Sequence, residues 1–311
     1  MTLQLTASPP SPRRVAFEVN AEGLGRYDIQ ISLPDGYADS EERYPAMYVL
    51  DGNMFFDTVH ALVNGTGGQL GSLMPRCVVV GVGYPADEGA ASFYARRNHN
   101  FYGPWDMADQ VGQVLHTVFD QLKDAEARSD LAISAGGAPR FMEFLRDELQ
   151  PALAERFRID EAARHMLIGN SSGGHFVLRA MFDPNSPFRR YVAISPAFGC
   201  ARGSIEQLES AYAAHYDDLD AEVFLCAGSR ETDNAAHALA RAASGVCWLR
   251  EQFSIRGYPR ARIAAEIMPG EHHGLLTARA LGRALNFLFG QDAVVEQAMA
   301  DLTVRHSSQR P

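Results

Sequence analysis

The chain has 311 residues, 46% of them hydrophobic, and a formal net charge of −10. That length supports one large α/β domain or two small ones. The acidic balance argues against a nucleic-acid partner and against attraction to an anionic membrane, and no apolar run reaches membrane-spanning length.

The first 14 residues are polar and Pro-rich, with no apolar core of signal-peptide length, and read as a flexible arm. The four cysteines, Cys77, Cys200, Cys226 and Cys247, form no C-x-x-C pair. They are expected to be reduced thiols, which suits a cytoplasmic protein.

A possible first strand covers 15–19. Tyr27, Ile29, Ile31 and Leu33 alternate with polar residues as in a half-buried strand. Apolar runs at 46–50 and 77–82 read as buried strands, with a helix through Phe55, Phe56, Val59 and Leu62 between them and a Gly-rich loop at 64–71. The string Gly81-Val82-Gly83-Tyr84-Pro85-Ala86 fits a dinucleotide fingerprint only superficially, because Pro85 and its followers open no clean helix. Residues 84–106 form a long connection rich in aromatics (Phe93, Tyr94, Phe101, Tyr102, Trp105). Such loops are often lids or binding loops, and 84–110 is expected to wall a pocket. In that reading Arg96, Arg97, Tyr102 and Trp105 contact substrate, the arginines by forked hydrogen bonds. Helical patterns follow at 108–127 and from Phe141 to Phe157, interrupted at Pro151.

The apolar run Met166-Leu167-Ile168 then enters Gly169-Asn170-Ser171-Ser172-Gly173, which fits G-x-S-x-G, and a helical pattern with Phe176, Val177, Ala180 and Met181 on one face follows. Strand, sharp turn and helix are the context of a nucleophile elbow, with Ser171 at its tip. Further strands are expected at 191–194, 222–227 and 261–268, and a closing helix carries Leu281, Leu285, Leu288 and Phe289. Strands alternating with helices predict an α/β fold with a mostly parallel central sheet and helices on both faces. One domain is expected over 15–290, with a polar tail at 291–311.

Three strand ends carry reactive groups in the order Ser171, an acid cluster (Glu231, Asp233) and a histidine pair (His272, His273). Ser…acid…His is the chain order of α/β hydrolases. A serine hydroxyl needs a base to take its proton as it attacks; His273 is the candidate, and a carboxylate would fix its tautomer. No metal motif is seen, since His272 and His273 are adjacent and no H-E-x-x-H spacing exists.

From about Tyr27 to Phe289 the chain resembles the putative-esterase branch of the α/β-hydrolase superfamily, which contains enterochelin-type siderophore esterases and relatives such as esterase D. The motifs that carry the resemblance are 44–53, Val79-Val80-Gly81-Val82-Gly83-Tyr84-Pro85, Gly136-Gly137-Ala138 with Glu148-Leu149-Gln150-Pro151, 191–196 and 269–274. The resemblance implies an α/β-hydrolase fold and a serine esterase that cleaves a carboxylic ester or lactone through an acyl-enzyme. It implies a small-molecule substrate and no cofactor. It places the histidine at His273 and the acid best at Glu231, with Asp233 as runner-up. The oxyanion donors would be backbone N–H groups of Ser172 and of the Gly52-Asn53 turn. Family members often carry Arg-Arg-x-Asp where this chain has Arg96-Arg97-Asn98-His99, so His99 stands for the aspartate. An acyltransferase, thioesterase or amidase with the same triad is the alternative, and a non-catalytic binding protein a weaker one. Neither pattern nor resemblance gives an oligomeric state.

Overall fold

The computed structural model describes residues 13–65 and 76–290. Most of the expected arm, most of the Gly-rich loop and the whole tail lie outside the described residues. Eight strands form one sheet: β1 (Arg14–Ala21), β2 (Gly25–Ser32), β3 (Ala46–Leu50), β4 (Val78–Gly83), β5 (His165–Asn170), β6 (Phe188–Ile194), β7 (Glu222–Gly228) and β8 (Arg262–Met268). Their spatial order is β1-β2-β4-β3-β5-β6-β7-β8. The pairs β1/β2 and β2/β4 are antiparallel, and every pair from β4/β3 to β7/β8 is parallel. The first strand begins at Arg14, so the arm expected to reach residue 14 is one residue too long.

The sheet is covered on both faces, and the pleat sorts its side chains between two cores. Tyr48 and Leu50 of β3, Val80 and Val82 of β4, Leu167 of β5 and Val223 and Leu225 of β7 point one way. There they meet Phe141 of α4 (Ala138–Glu143), Phe176 of α6 (Ser172–Met181) and Val246 of α9 (Ala242–Arg256). Met47, Val49, Val79, Ile168 and Phe224 point the other way, against Phe56 of α1 (Gly52–His60) and Leu281 and Leu285 of α10 (Leu276–Phe289). Burial on both faces is why the inner strands read as unbroken apolar runs. The chain between α4 and α6 continues helically through a π-type stretch, Phe144–Leu149, into α5 (Gln150–Arg156). Pro151 comes directly after the π-type stretch, at the second residue of α5, where its missing N–H takes one donor out of the continuing helical ladder.

The connection expected to be an open loop at 84–106 is different. It holds a 13-residue helix, α2 (Gly89–Phe101), followed by α3 (Gln110–Ala125). Helix α2 buries Ala91, Ser92, Ala95, Asn98 and Asn100, with a large apolar side chain only at its last residue, Phe101. Small and amide residues on the buried face erase the hydrophobic period by which a helix is recognised. Two short helices, α7 (Ser204–Ala213) and α8 (Ala235–Leu239), complete the set. The described cysteines are all free, with Cys77, Cys200 and Cys226 buried and Cys247 exposed. Among the described residues no helix is long and apolar enough to cross a membrane.

Two buried histidines are built to stay neutral. His165 Nδ1 accepts the Ala46 N–H at 3.1 Å. His175 Nδ1 lies 2.9 Å from the Ala197 carbonyl, and its Nε2 lies 3.2 Å from the Ser204 hydroxyl. Burial pushes both from 6.5 down to about 4. The unfolded chain therefore takes up these protons near pH 6.5 while the fold resists them to about pH 4, and unfolding binds more protons in between. Stability should fall as pH drops across that window, by on the order of 1–3 kcal/mol per ring. Thermal unfolding followed by circular dichroism from pH 7 to 4 should show a falling Tm, less steep in His175→Asn. Equal slopes in the two proteins would remove His175 as a cause.

Candidate active site

The loops that leave the carboxyl ends of β3, β5, β7 and β8 meet above the sheet, where open α/β sheets bind ligands. At the end of β5, Ser171 has φ 58° and ψ −117°, a backbone that non-glycine residues avoid. It is held there from both sides. The Ser171 N–H donates to the Ile194 carbonyl at 2.9 Å, and the Ser171 carbonyl accepts from the Ala197 N–H at 3.0 Å. The turn also demands a glycine before it, because a Cβ on Gly169 would sit 2.4 Å from the Gly173 backbone. The Ser171 side chain is raised at the mouth of α6, and its hydroxyl has no hydrogen-bond partner among the described residues.

The candidate acid and base follow β7 and β8. Glu231 lies in a tight turn, Ser229–Asp233, and is 1% exposed. Its Oε2 accepts from His273 Nδ1 at 2.9 Å. Its Oε1 accepts from the Ser195 hydroxyl at 2.6 Å and the Gly228 N–H at 2.7 Å. Burial alone would raise the carboxyl's pKa, but the donors His273, Ser195 and Gly228 outweigh it and hold the group below its ordinary range. Asp233, two residues on, is exposed and pairs with Arg230. The two loops are joined by backbone: the Arg230 N–H donates to the Glu271 carbonyl, and the Gly270 N–H to the Ser229 hydroxyl. His272 is exposed and makes no comparable contact with the acid.

The oxyanion candidates sit at two helix mouths. Ser172 is the first residue of α6, and Gly52 and Asn53 open α1 behind Asp51, which takes φ 52° as its cap. The first N–H groups of a helix have no acceptor inside it and face outward as donors. Gly52 has no room for a side chain, since a Cβ would lie 2.8 Å from the Gly81–Val82 backbone.

The expected substrate contacts are placed otherwise. Arg97, on α2, is half-buried: its Nε reaches both Asp51 oxygens at 2.9 Å, and its Nη2 donates to the Asn170 carbonyl at 3.0 Å. Asp51 is fully buried, and burial raises its pKa, outweighing the opposing pull of Arg97. Arg96 bonds Glu88 and the carbonyls of Leu24 and Arg26, above the rings of Tyr27 and Tyr84. Both guanidinium groups are thus taken up by the protein. Tyr102 is fully buried, and its hydroxyl donates at 2.8 Å to the Oγ of Ser172, the residue after Ser171. Trp105 stacks edge-on against Tyr102 and donates from Nε1 to Asp109. His99 lies against Gly137 with its Nδ1 3.0 Å from the Ser134 hydroxyl.

One neighbour was not anticipated. His237 of α8 stacks on His273, with ring centroids 4.2 Å apart and planes 23° from parallel. Donor atoms of Glu231, His237 and His273 lie within 4.8 Å of one another. A zinc-like ion needs donors converging at about 2.0–2.3 Å on one point. Near-parallel rings direct their in-plane lone pairs side by side, and Glu231 already accepts three hydrogen bonds. The three residues do not fit a metal ion as arranged.

The family model described as Putative esterase matches residues 107–273. Ferri-bacillibactin esterase BesA of Bacillus subtilis is 29% identical over 173 residues, 55% of this chain and 53% of that protein. The siderophore enterobactin esterase of Emericella nidulans is 26% identical over 58% of this chain and 57% of its own. The chain thus spans little more than half the length of these relatives. Siderophore hydrolase EstB from Aspergillus nidulans superposes with a TM-score of 0.71 at 25% identity, over 92% of this chain and 99% of that one. EstA from the same organism gives 0.75 at 22% identity, over 93% and 99%. The fold is the α/β-hydrolase fold that these structures share.

The Arg97–Asp51 pair sets a stability expectation. Arg97→Leu leaves Asp51 buried and unpaired, which should cost about 3–5 kcal/mol. Urea unfolding measures it, and a loss below 1 kcal/mol would mean that the arginine is not structural.

Proposed function

On the premise that the chain belongs to the Putative esterase family, whose model matches more than half of it, we propose that it is a serine hydrolase acting on a carboxylic ester or lactone. The observation that carries this is the 2.9 Å bond from His273 Nδ1 to buried Glu231, beside an elbow that presents Ser171. With Nδ1 committed, His273 offers Nε2 as the base.

Ser171 Oγ attacks the acyl carbon while His273 Nε2 takes its proton. The carbonyl electrons move onto oxygen, facing the N–H groups of Ser172 and the Gly52–Asn53 turn. Collapse expels the alcohol, which leaves with the proton from His273, and the acyl group stays on Ser171. Water then loses a proton to His273 and attacks the same carbon. Ser171 recovers its proton and the carboxylate is released. Glu231 stays ionised throughout and stabilises the imidazolium at each stage.

The relatives named above are siderophore esterases, and the substrate class proposed for this chain is the ester or lactone backbone of a siderophore. Hydrolysis of a siderophore trilactone, iron-loaded and iron-free, would be compared with p-nitrophenyl acetate and an aryl amide, with Ser171→Ala as the blank. Ester cleavage lost in Ser171→Ala is expected. Cleavage that survives the substitution would overturn the mechanism, and cleavage of the aryl ester alone would overturn the substrate class.

A fluorophosphonate probe should label Ser171 in the native protein and leave Ser171→Ala unlabelled. The acid is separable from its neighbour: Glu231→Gln should lower kcat by on the order of 10³–10⁴. Asp233→Asn, at a solvated ion pair, should change it by less than about threefold. The reverse ranking would move the acid to Asp233.

A further inference from the structure

The imidazole of His273 is enclosed by a single short segment, residues 229–239. Glu231 meets the ring at its Nδ1 edge. Six residues later His237 covers one face, at 4.2 Å and 23°. The spacing between the two is set by local bonds. The Asn234 N–H donates to the Glu231 carbonyl, and Asn234 Oδ1 caps α8 by accepting the N–H groups of Ala236 and His237. The carbonyl of Ala240, just past α8, accepts the Gly199 N–H, which ties the helix to the loop after β6. His237 is therefore on a braced element and not on a free surface turn.

We propose that His237 is a positioning residue for the general base, its ring lying on one face of His273 so that the imidazole plane stays on the line from Glu231 to Ser171 and that face stays dry. The proposal rests on the hydrolase reading and adds to it a residue outside the triad. Aromatic rings pair favourably, offset-stacked or edge-on, at centroid separations of about 4.5–7 Å, and this pair at 4.2 Å is slightly closer. A ring fixed at one edge by a single hydrogen bond can still swing about that bond, and a partner on its face removes the swing. Misplacement of a catalytic group by about 1 Å can cost on the order of 10²-fold in rate. The electrostatics agree with the role. Two groups face His237 here, His273 and Glu231. Burial and His273 both lower its pKa, against Glu231, which raises it. The stacked partner is thus held uncharged while His273 carries the positive charge of the reaction, and two adjacent cations are avoided.

The test uses His237→Ala, which removes the ring, and His237→Phe, which keeps a stacking face without a ring nitrogen. With p-nitrophenyl acetate, His237→Ala should lower kcat by on the order of 10- to 100-fold with KM within about twofold, and His237→Phe should restore kcat to within about threefold of the native protein. A native kcat in His237→Ala, a loss carried by KM alone, or no rescue by phenylalanine would overturn the proposal. A second readout does not depend on turnover. The Nδ1 proton of His273, bonded to Glu231, should give a resolved downfield NMR signal in the native protein and in His237→Phe, and should broaden by water exchange in His237→Ala. An equally sharp signal in all three would overturn the positioning role even if no ester is cleaved. Failure of the hydrolase reading would instead show as a native protein that neither turns over esters nor reacts with fluorophosphonate.

Discussion

The Arg97–Asp51 ion pair ties together the turns at the carboxyl ends of β3 and β5. Asp51 ends β3 and caps α1, so it fixes the turn that carries Gly52 and Asn53. Arg97 binds that carboxylate and, with its other arm, the carbonyl of Asn170, the residue before Ser171. One guanidinium thereby links the two turns that carry the oxyanion candidates Gly52, Asn53 and Ser172. Arginine suits this work because its planar fork presents donors in fixed directions and stays charged when buried. Lysine could supply the charge but not the two directions. The pair is also costly to leave incomplete, since a lone carboxylate at full burial has no solvent to turn to.

The acid is built on the same plan. Glu231 spends one oxygen on Ser195 and Gly228 and the other on His273. Three hydrogen bonds spread over both oxygens hold the carboxylate in one orientation, and the histidine bonded to it inherits that orientation. Ser195 takes φ 43° to reach it, a backbone cost offset by a short charged hydrogen bond.

Much of this was legible in the chain. The apolar runs at β3, β4 and β7 stand out because both faces of those strands are buried, and the residues at their carboxyl ends are where the loops converge. The glycines around Ser171 and the chain order of serine, acid and histidine were legible for the same reason: they are local or ordinal features. What escaped depends on contacts between distant residues. Helix α2 hides because its buried face is mostly alanine, serine and asparagine. Arg96 and Arg97 read as substrate-binding charges in a loop, because Asp51, Glu88 and three carbonyls become their partners only in the fold. Glu231 and Asp233 differ by two positions in one tight turn, and only the turn decides which points inward. His237 gave no signal at all, being one histidine on a five-residue helix.

The strand order has a kinetic side. Strand β3, which leads into the Gly52–Asn53 turn, pairs with β5, which leads into Ser171, through partners such as Met47 and Met166. Those residues lie roughly 120 positions apart, so closing that loop is an entropic cost met before the pairing returns anything. Contacts of such long sequence separation slow folding, and parallel pairing adds to the delay. The two halves of the reactive centre are strangers in the nascent chain. An intermediate with β5, α6 and β6 formed would display the serine turn with nothing opposite it, and competence would arrive in a single late event, when the first strands dock against the middle of the sheet.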